Sequence, residues 1–136
     1  MPRILCIDYG RKKVGLAATD PLQIIVSGLD TVARMNLETF LDGYLKEEEV
    51  EKIVLGDPGA HNERTALLQK EIINFKNKLA KKYPKLSFAM HDESFSSQDA
   101  KAVILASGAK KKKRRDKALV DKISAVLILQ DHLNHK

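Results

Sequence analysis

The chain has 136 residues, of which 43% are hydrophobic, and a single cysteine, Cys6. This length is typical of one compact domain with its own core, so we expect a single domain over residues 1–136, and two ordinary enzyme domains are excluded. The lone cysteine excludes an internal disulfide framework and a multi-cysteine zinc site.

The net charge of +6 comes from one short segment. Residues 110–115, here called the cationic segment, are all Lys or Arg, and the rest of the chain carries equal numbers of acidic and basic residues. Such a segment attracts phosphate backbone, acidic lipid head groups or an acidic protein. No apolar run could cross a membrane, and the run that begins at Ile4 is too short for a signal peptide, so a cytoplasmic protein without membrane contact is expected.

Three short apolar runs open the chain and predict three strands. Arg3–Asp8 ends in an acid, and Val14–Thr19 follows after a polar turn, so these two runs are expected to form a hairpin. Leu22–Ser27, which follows Asp20 and Pro21, predicts the third strand.

Helices and strands then alternate. Apolar residues at helical spacing between Leu37 and Leu45 predict an amphipathic helix of about four turns. Lys52–Gly56 predicts a fourth strand, and a second helix is expected from about Glu63 to Tyr83. The apolar residues expected on the inner face of this second helix are Leu67, Leu68, Ile72, Phe75 and Leu79.

The last part of the chain predicts one strand and two helices. Leu86–His91 predicts a fifth strand, and a helix is expected to start near Ser96. Ala118–Leu133 is apolar on nearly all sides, which is typical of a buried helix. The complete order predicts an α/β fold in which a mixed sheet carries helices on its faces, with the strand order left open.

Three acidic residues occupy positions where a charge is costly. Asp8 ends an apolar strand, Glu93 follows the end of another, and Asp121 interrupts an apolar helix. Carboxylates are seldom buried unless they are paired, protonated or bound to a cation. If the three converge, a pair of divalent ions would relieve their repulsion, and oxygen ligands favour Mg²⁺ or Mn²⁺. Taken singly, each acid also has a structural explanation: a turn, a lysine partner or the first turn of a helix.

Two basic segments are candidate contacts to phosphate. The first consists of Arg11, Lys12 and Lys13, which either contact phosphates from a hairpin turn beside Asp8 or form a solvated turn. The second is the cationic segment, which lies in sequence between the two helices that follow the fifth strand. We expect it to gather phosphates at the rim of the active centre, with a solvated loop as the alternative. Its members that we expect to contact substrate are Lys112, Lys113, Arg114 and Arg115.

Four segments, in order and spacing, resemble the YqgF family of bacterial proteins. They are Asp8–Ala17, Gly56–Pro58, Asp92 with Glu93, and Val120–Ala125 with Ile128–Gln130. The resemblance covers the chain from about residue 3 to residue 133. Members of this family are described as Holliday junction resolvases and as nucleases that mature the 5′ end of pre-16S ribosomal RNA.

The resemblance implies an RNase H-like fold, a mixed five-stranded sheet flanked by helices with the first three strands antiparallel. It also implies that Asp8, Glu93 and Asp121 are catalytic and bind metal, and that Lys12 contacts the substrate backbone. Asp8 with Asp121, and Asp8 with Glu93, would each hold one ion. The activity implied is Mg²⁺- or Mn²⁺-dependent hydrolysis of phosphodiester bonds, in an rRNA precursor or in branched DNA.

Two residues depart from the family pattern. Ser94 follows the Asp-Glu pair where the family has Arg, and Asp57 adds a negative charge to the loop after the fourth strand. Because Ser cannot hold a phosphate as Arg does, a nucleic-acid-binding protein without catalysis is an alternative. An ATP-binding domain of the actin and sugar-kinase type is a third interpretation, against which the length argues. The chain is expected to be a monomer or a homodimer, since junction cleavage requires a symmetric dimer.

Overall fold

The fold is taken from a computed structural model that describes residues 2–10, 12–92 and 117–134, with the side chains of residues 122–133 in the last segment. Arg11, Glu93, Ser94, the helix predicted near Ser96 and the cationic segment lie outside the described residues. The side chain of Asp121 also lies outside them, although its backbone belongs to a described helix.

The described residues form five strands, three α-helices and one short 3₁₀ helix. The strands are β1 (Arg3–Tyr9), β2 (Lys13–Thr19), β3 (Val26–Ala33), β4 (Val50–Asp57) and β5 (Ser87–Asp92). The α-helices are α1 (Leu37–Glu47), α2 (Glu63–Lys82) and α3 (Lys117–Asn134), and the 3₁₀ helix (Arg34–Asn36) joins β3 to α1.

The five strands form one mixed sheet in the order β3-β2-β1-β4-β5. Strand β2 is antiparallel to both β1 and β3, whereas β4 is parallel to both β1 and β5. The central strand is β1, in which Cys6 pairs with Ala17 on one side and Val54 on the other. The predicted five-stranded mixed sheet with three antiparallel strands first is therefore confirmed.

Alternation along β1 divides the core into two layers. Leu5 and Ile7 are fully buried on the face that α1 and α2 cover, whereas Ile4 and Cys6 are fully buried on the face that α3 covers. Both faces are apolar because a sheet with helices on both sides exposes neither. Each buried Leu or Ile stabilises the fold by about 1.5–3 kcal/mol, so the two layers together hold β1 in place.

The third strand was predicted at Leu22–Ser27, and this prediction is wrong at its start. The Asp20 carboxylate accepts hydrogen bonds from the backbone amides of Ile24 and Ile25, both at 2.8 Å, and this local turn takes up amides that a strand would use. Leu22, Ile24 and Ile25 are 60–71% exposed, and pairing with β2 begins only at Val26.

The helices lie where they were predicted, but their lengths and their buried residues differ in part. Helix α1 has 11 residues, about three turns instead of four. Helix α2 begins after Asn62, whose side chain and that of Thr65 form a capping box, but Leu67 is 52% exposed and therefore not on its inner face. Helix α3, predicted as a buried helix, buries Ala125, Ile128 and Leu129 but exposes Gln130 and Asp131. No described helix is long and apolar enough to span a membrane.

Candidate functional site

Asp8 lies at the carboxyl end of the central strand, on the face that α3 covers. The face follows from alternation, because Ile4 and Cys6 occupy the same side of β1 and pack against α3. Asp8 is half-buried and pairs with Gly15 of β2, which contributes no side chain beside the carboxylate. The Asp8 carboxylate thus lies at the end of the sheet, beneath α3.

The carboxyl ends of three parallel strands meet at the edge of the sheet where Asp8 lies. Ile7 pairs with Leu55, and Leu55 pairs with Met90. The residues that directly follow these three therefore lie side by side in one row across the sheet. Strand β5 is two strand spacings from β1, about 10 Å, and ends at Asp92. The structure thus brings the residue before Glu93 to the edge that carries Asp8.

Helix α3 crosses the sheet on the face that carries Asp8, and it runs from β3 toward β5. Near its beginning Lys122 packs on Gly28 of β3, where a Cβ would come within 2.8 Å of the Lys122 Cγ. Ala125 and Ile128 are buried against β1, β2 and β4. Position 121 is one turn before Ala125 and two turns before Ile128, which places this residue on the helix face that packs on the sheet.

One buried polar side chain in α3 has no apparent function in packing. Ser124 is fully buried, and its hydroxyl is the one buried side-chain polar atom without a hydrogen-bond partner among the described residues. An unpaired buried hydroxyl costs free energy, so packing alone does not explain a serine at this position of α3.

The β1–β2 turn carries exposed lysines at the same edge. Lys12 and Lys13 are both exposed, and Lys13 lies two residues before Gly15, on the same face of the sheet as Asp8. The turn is tight, since a Cβ on Gly10 would lie well inside van der Waals contact with the carbonyl oxygen of Lys13. The predicted lysines and Asp8 are therefore brought together.

Arg34 supports this turn from the opposite face of the sheet, and no sequence pattern indicated this role. Its backbone N–H donates to the carbonyl oxygen of Lys12 (2.8 Å), and its side chain donates to the Tyr9 hydroxyl (2.6 Å) and to Glu71 of α2 (3.0 Å). Partial burial alone would lower the pKa of Arg34, but the hydrogen bonds to Tyr9 and Glu71 outweigh it and raise that pKa. Arg34 stays charged at any physiological pH.

Asp57 was expected to place a negative charge near the site, and it lies at the same end of the sheet as Asp8 but on the opposite face. It lies on the α2 face of β4, where one carboxylate oxygen accepts hydrogen bonds from Gly59 N–H and from Gln69 of α2, both at 2.9 Å. Gly59 adopts a φ of 76°, and a Cβ there would lie 2.8 Å from the ring Nε2 of His61. Asp57 thus shapes the β4–α2 loop.

His91 joins the end of β5 to α3. Its Nε2 donates to Asp131 at 2.6 Å, and its ring meets that of His132 edge-on, with 5.6 Å between centroids. Lys52 of β4 in turn donates to His132 Nε2 at 3.0 Å. These contacts fix α3 across the strands that end at the site, and because they join residues far apart in the chain, local patterns could not indicate them.

Within the described residues, no three His, Cys, Asp or Glu side chains lie close enough together to hold a metal ion. Of the three predicted acids, only Asp8 has a described side chain. A groove of about 780 Å³ lies near the opposite edge of the sheet, between the ends of α1 and α2 and the starts of β4 and β5. This groove is far from Asp8 and takes no part in the candidate site.

Comparison with known proteins gives similarity over the full chain. Residues 2–135 match the RuvX family, described as Holliday junction resolvase. Two relatives carry the name "Putative pre-16S rRNA nuclease": one from Porphyromonas gingivalis is 49% identical over 99% of this chain and 98% of its own, and one from Flavobacterium psychrophilum is 44% identical over 100% and 99%. The crystal structure of the fowlpox virus Holliday junction resolvase superposes with a TM-score of 0.62 at 12% identity, covering 98% of this chain and 99% of that one, which confirms the predicted fold.

Proposed function

The chain belongs to the RuvX family, and on that ground we propose that it is a metal-dependent nuclease that hydrolyses phosphodiester bonds at the 5′ end of pre-16S rRNA. The choice of substrate is supported by the two bacterial relatives, which are similar over their whole length and are named for this precursor. The RNase H-like fold supports the same class of chemistry.

The observation that carries the proposal is the position of Asp8. A half-buried carboxylate stands at the end of the central strand, beside a glycine and below a helix, at the edge where β5 ends one residue before Glu93. We propose that Asp8, Glu93 and Asp121 form the catalytic centre. Position 121 on the packed face of α3 supports the third assignment.

The proposed donor set suits a hard divalent cation. It consists of carboxylates, and carboxylate oxygens are the ligands that Mg²⁺ and Mn²⁺ prefer. When bound, such ions supply a nucleophile at neutral pH and neutralise charge on the leaving oxygen. Asp8, shared between the two proposed pairs with Asp121 and Glu93, would fix where the reacting phosphate lies.

The exposed lysines would hold the substrate backbone. Lys12 and Lys13 are exposed and lie at the edge that carries Asp8, so a backbone that they bind would pass near this carboxylate. We propose the same contact for Arg11 and for Lys112, Lys113, Arg114 and Arg115. Binding that neutralises several phosphates weakens steeply as the salt concentration rises.

Cleavage of a 5′-extended pre-16S rRNA fragment by the parent and by Asp8→Asn, in Mg²⁺ and in Mn²⁺, tests the proposal. The variant should cleave at least about a hundredfold more slowly while its affinity for the fragment stays near that of the parent. Asp30→Asn is a matched control, because Asp30 is an exposed aspartate of β3 outside the proposed centre. Equal cleavage rates for Asp8→Asn and the parent would overturn the mechanism.

A four-way DNA junction is the second candidate substrate, and two findings favour it. The family description and the structural likeness to a viral resolvase both concern such junctions. A symmetric junction requires two active centres, so junction cleavage would have to come from a homodimer. Faster cleavage of the junction than of the rRNA fragment, together with a dimer in solution, would favour this function.

Tight binding of either substrate with no cleavage in Mg²⁺ or Mn²⁺ would favour a binding protein without catalysis. Ser94, in place of the family Arg, is the feature that supports this outcome. Restoring Arg at this position by Ser94→Arg should then increase affinity without producing cleavage.

A further inference from the structure

We propose that Arg34 is a positioning residue that holds Lys12 of the β1–β2 turn where it can contact the substrate backbone. The inference rests on the proposed function, because it assigns a purpose to the geometry of a turn that is proposed to bind phosphate. Arg34 would act on the substrate only through the turn and would not touch it.

Arg34 contacts the chain on both sides of the turn. Before the turn, its side-chain Nε donates to the Tyr9 hydroxyl at 2.6 Å. After the turn begins, its backbone N–H donates to the carbonyl oxygen of Lys12 at 2.8 Å. One residue therefore fixes the chain directly after Asp8 and the lysine that follows, and this sets their separation.

The rest of the Arg34 side chain is anchored in the helical layer. Its guanidinium lies over the Tyr9 ring, 4.5 Å from the centroid, and donates to Glu71 of α2 at 3.0 Å. The Tyr9 ring packs in turn on Phe75 of α2, with 5.2 Å between centroids. These contacts connect the turn to α2, which is itself held in the core by buried Ile72 and Leu79.

The chemistry of this contact requires arginine. A guanidinium can stack on an aromatic ring and donate in two directions within its plane, whereas the ammonium of lysine is a point charge that does not reproduce this geometry. Tyr9 is buried, and its side chain lies on the face opposite to Asp8, so Arg34 reaches the site from behind the sheet. Its charge is paired with that of Glu71.

The test compares substrate affinity in three variants. Tyr9→Phe removes only the hydroxyl that Arg34 bonds and keeps the ring packing. Arg34→Ala removes the side-chain contacts to Tyr9 and Glu71 but keeps the backbone hydrogen bond to Lys12. Lys12→Ala removes the proposed contact itself. Tyr9→Phe should weaken binding of the rRNA fragment about threefold and Arg34→Ala about tenfold. The rate of cleavage at saturation should stay near that of the parent, so the loss falls on KM.

The double variant Arg34→Ala with Lys12→Ala makes the test specific. If Arg34 acts through Lys12, the double variant binds no more weakly than Lys12→Ala, and its salt dependence is also the same. If the losses of affinity in the two single variants multiply in the double variant, the proposal is overturned. An effect of Arg34→Ala on kcat alone would also overturn it. Lys78→Ala is the matched control, because Lys78 of α2 also forms an ion pair with another element, through Glu38 of α1, and does not pair with the turn.

Hydrogen exchange separates this proposal from the proposed function. Amide exchange in the peptide that contains Lys12 should be faster in Arg34→Ala and in Tyr9→Phe than in the parent, and unchanged in Lys78→Ala. If the parent neither binds nor cleaves nucleic acid, the proposed function fails. Faster exchange would then still support Arg34 as the anchor of the turn, and unchanged exchange would overturn it.

Discussion

Asp8 and Gly15 face each other across the β1–β2 pair, on the side of the sheet that α3 covers. Cβ atoms of directly opposed residues lie about 4.5–5.5 Å apart, so any side chain at position 15 would stand beside the Asp8 carboxylate. Gly15 is itself buried and places no side chain beside this carboxylate.

Gly15→Val should therefore lower the cleavage rate by about tenfold or more, because its methyl groups would crowd the Asp8 carboxylate. Gly15→Ala should have a smaller effect in the same direction. Rates at saturating substrate, with thermal unfolding to establish that both variants fold, provide the measurement. A parent-like cleavage rate in a folded Gly15→Val protein would show that cleavage does not require a small residue beside Asp8.

Gly10→Ala should distort the β1–β2 turn. The added Cβ would collide with the carbonyl oxygen of Lys13, which is backbone and can move only if the strand moves. We expect weaker substrate binding and a lower free energy of unfolding. The control is Gly43→Ala in α1, where a Cβ would meet nothing within 4 Å and should raise the free energy of unfolding by about 0.5–1 kcal/mol.

Asp57→Asn should change affinity for nucleic acid by less than about twofold. The carboxylate lies on the α2 face and is bonded to Gly59 and Gln69, and the amide oxygen of Asn can accept the same two hydrogen bonds. Titration with the rRNA fragment at low salt measures the effect. Markedly tighter binding would mean that the negative charge does oppose the substrate.

Asp20 should make stability depend on pH. Hydrogen bonds from the backbone amides of Ile25 and Ile24 lower the pKa of Asp20 below its ordinary value of 3.8 in the folded chain. The carboxylate therefore stabilises the fold above that value, and the contribution is lost as the pH falls through the lowered pKa. We expect the free energy of unfolding, measured with urea at about pH 6 and about pH 3, to fall more between these values in the parent than in Asp20→Asn. Parallel losses would contradict this assignment.

Removal of the hydroxyl should affect the free energy of unfolding differently at two buried residues, Ser124 and Thr19. Ser124 is buried without a hydrogen-bond partner among the described side chains, so Ser124→Ala should leave the free energy of unfolding unchanged or raise it by about 1 kcal/mol. Thr19 is also buried, but its hydroxyl accepts from the backbone N–H of Ile4 at 2.9 Å. Thr19→Val should lower stability by about 1–3 kcal/mol, because that amide is left unpaired. A large loss for Ser124→Ala would indicate a partner.

Local patterns were sufficient to predict most of the elements. The apolar run of β1 with its hairpin partner, and the start of α2 near Glu63, depend on alternation and capping within a few residues. Asp8 could be singled out for the same reason, since a charged residue that ends an apolar strand is visible in the sequence alone. The placement of Asp8, Glu93 and Asp121 suggested one centre, the family resemblance implied their catalytic role, and both stay predictions.

What local patterns missed depends on contacts between distant parts of the chain. The start of β3 was misplaced because the Asp20 turn uses amides that an apolar run would otherwise offer to a strand. Leu67 was assigned to the inner face of α2 because its spacing allows either side, and only the packing of α2 on the sheet decides between them. Arg34 follows a strand without any pattern, and its partner Glu71 is far away in sequence.

The order of elements along the chain has a consequence for when activity can arise during synthesis. Strands β1 to β3 are neighbours in sequence and can pair as soon as they are made, whereas β1 pairs with β4 only after α1 has been completed. Helix α3 is the last described element, and it covers the face on which Asp8 lies. On the proposed assignment of Asp121, a nascent chain that lacks α3 would be unable to cleave RNA, even on the ribosome that is making it.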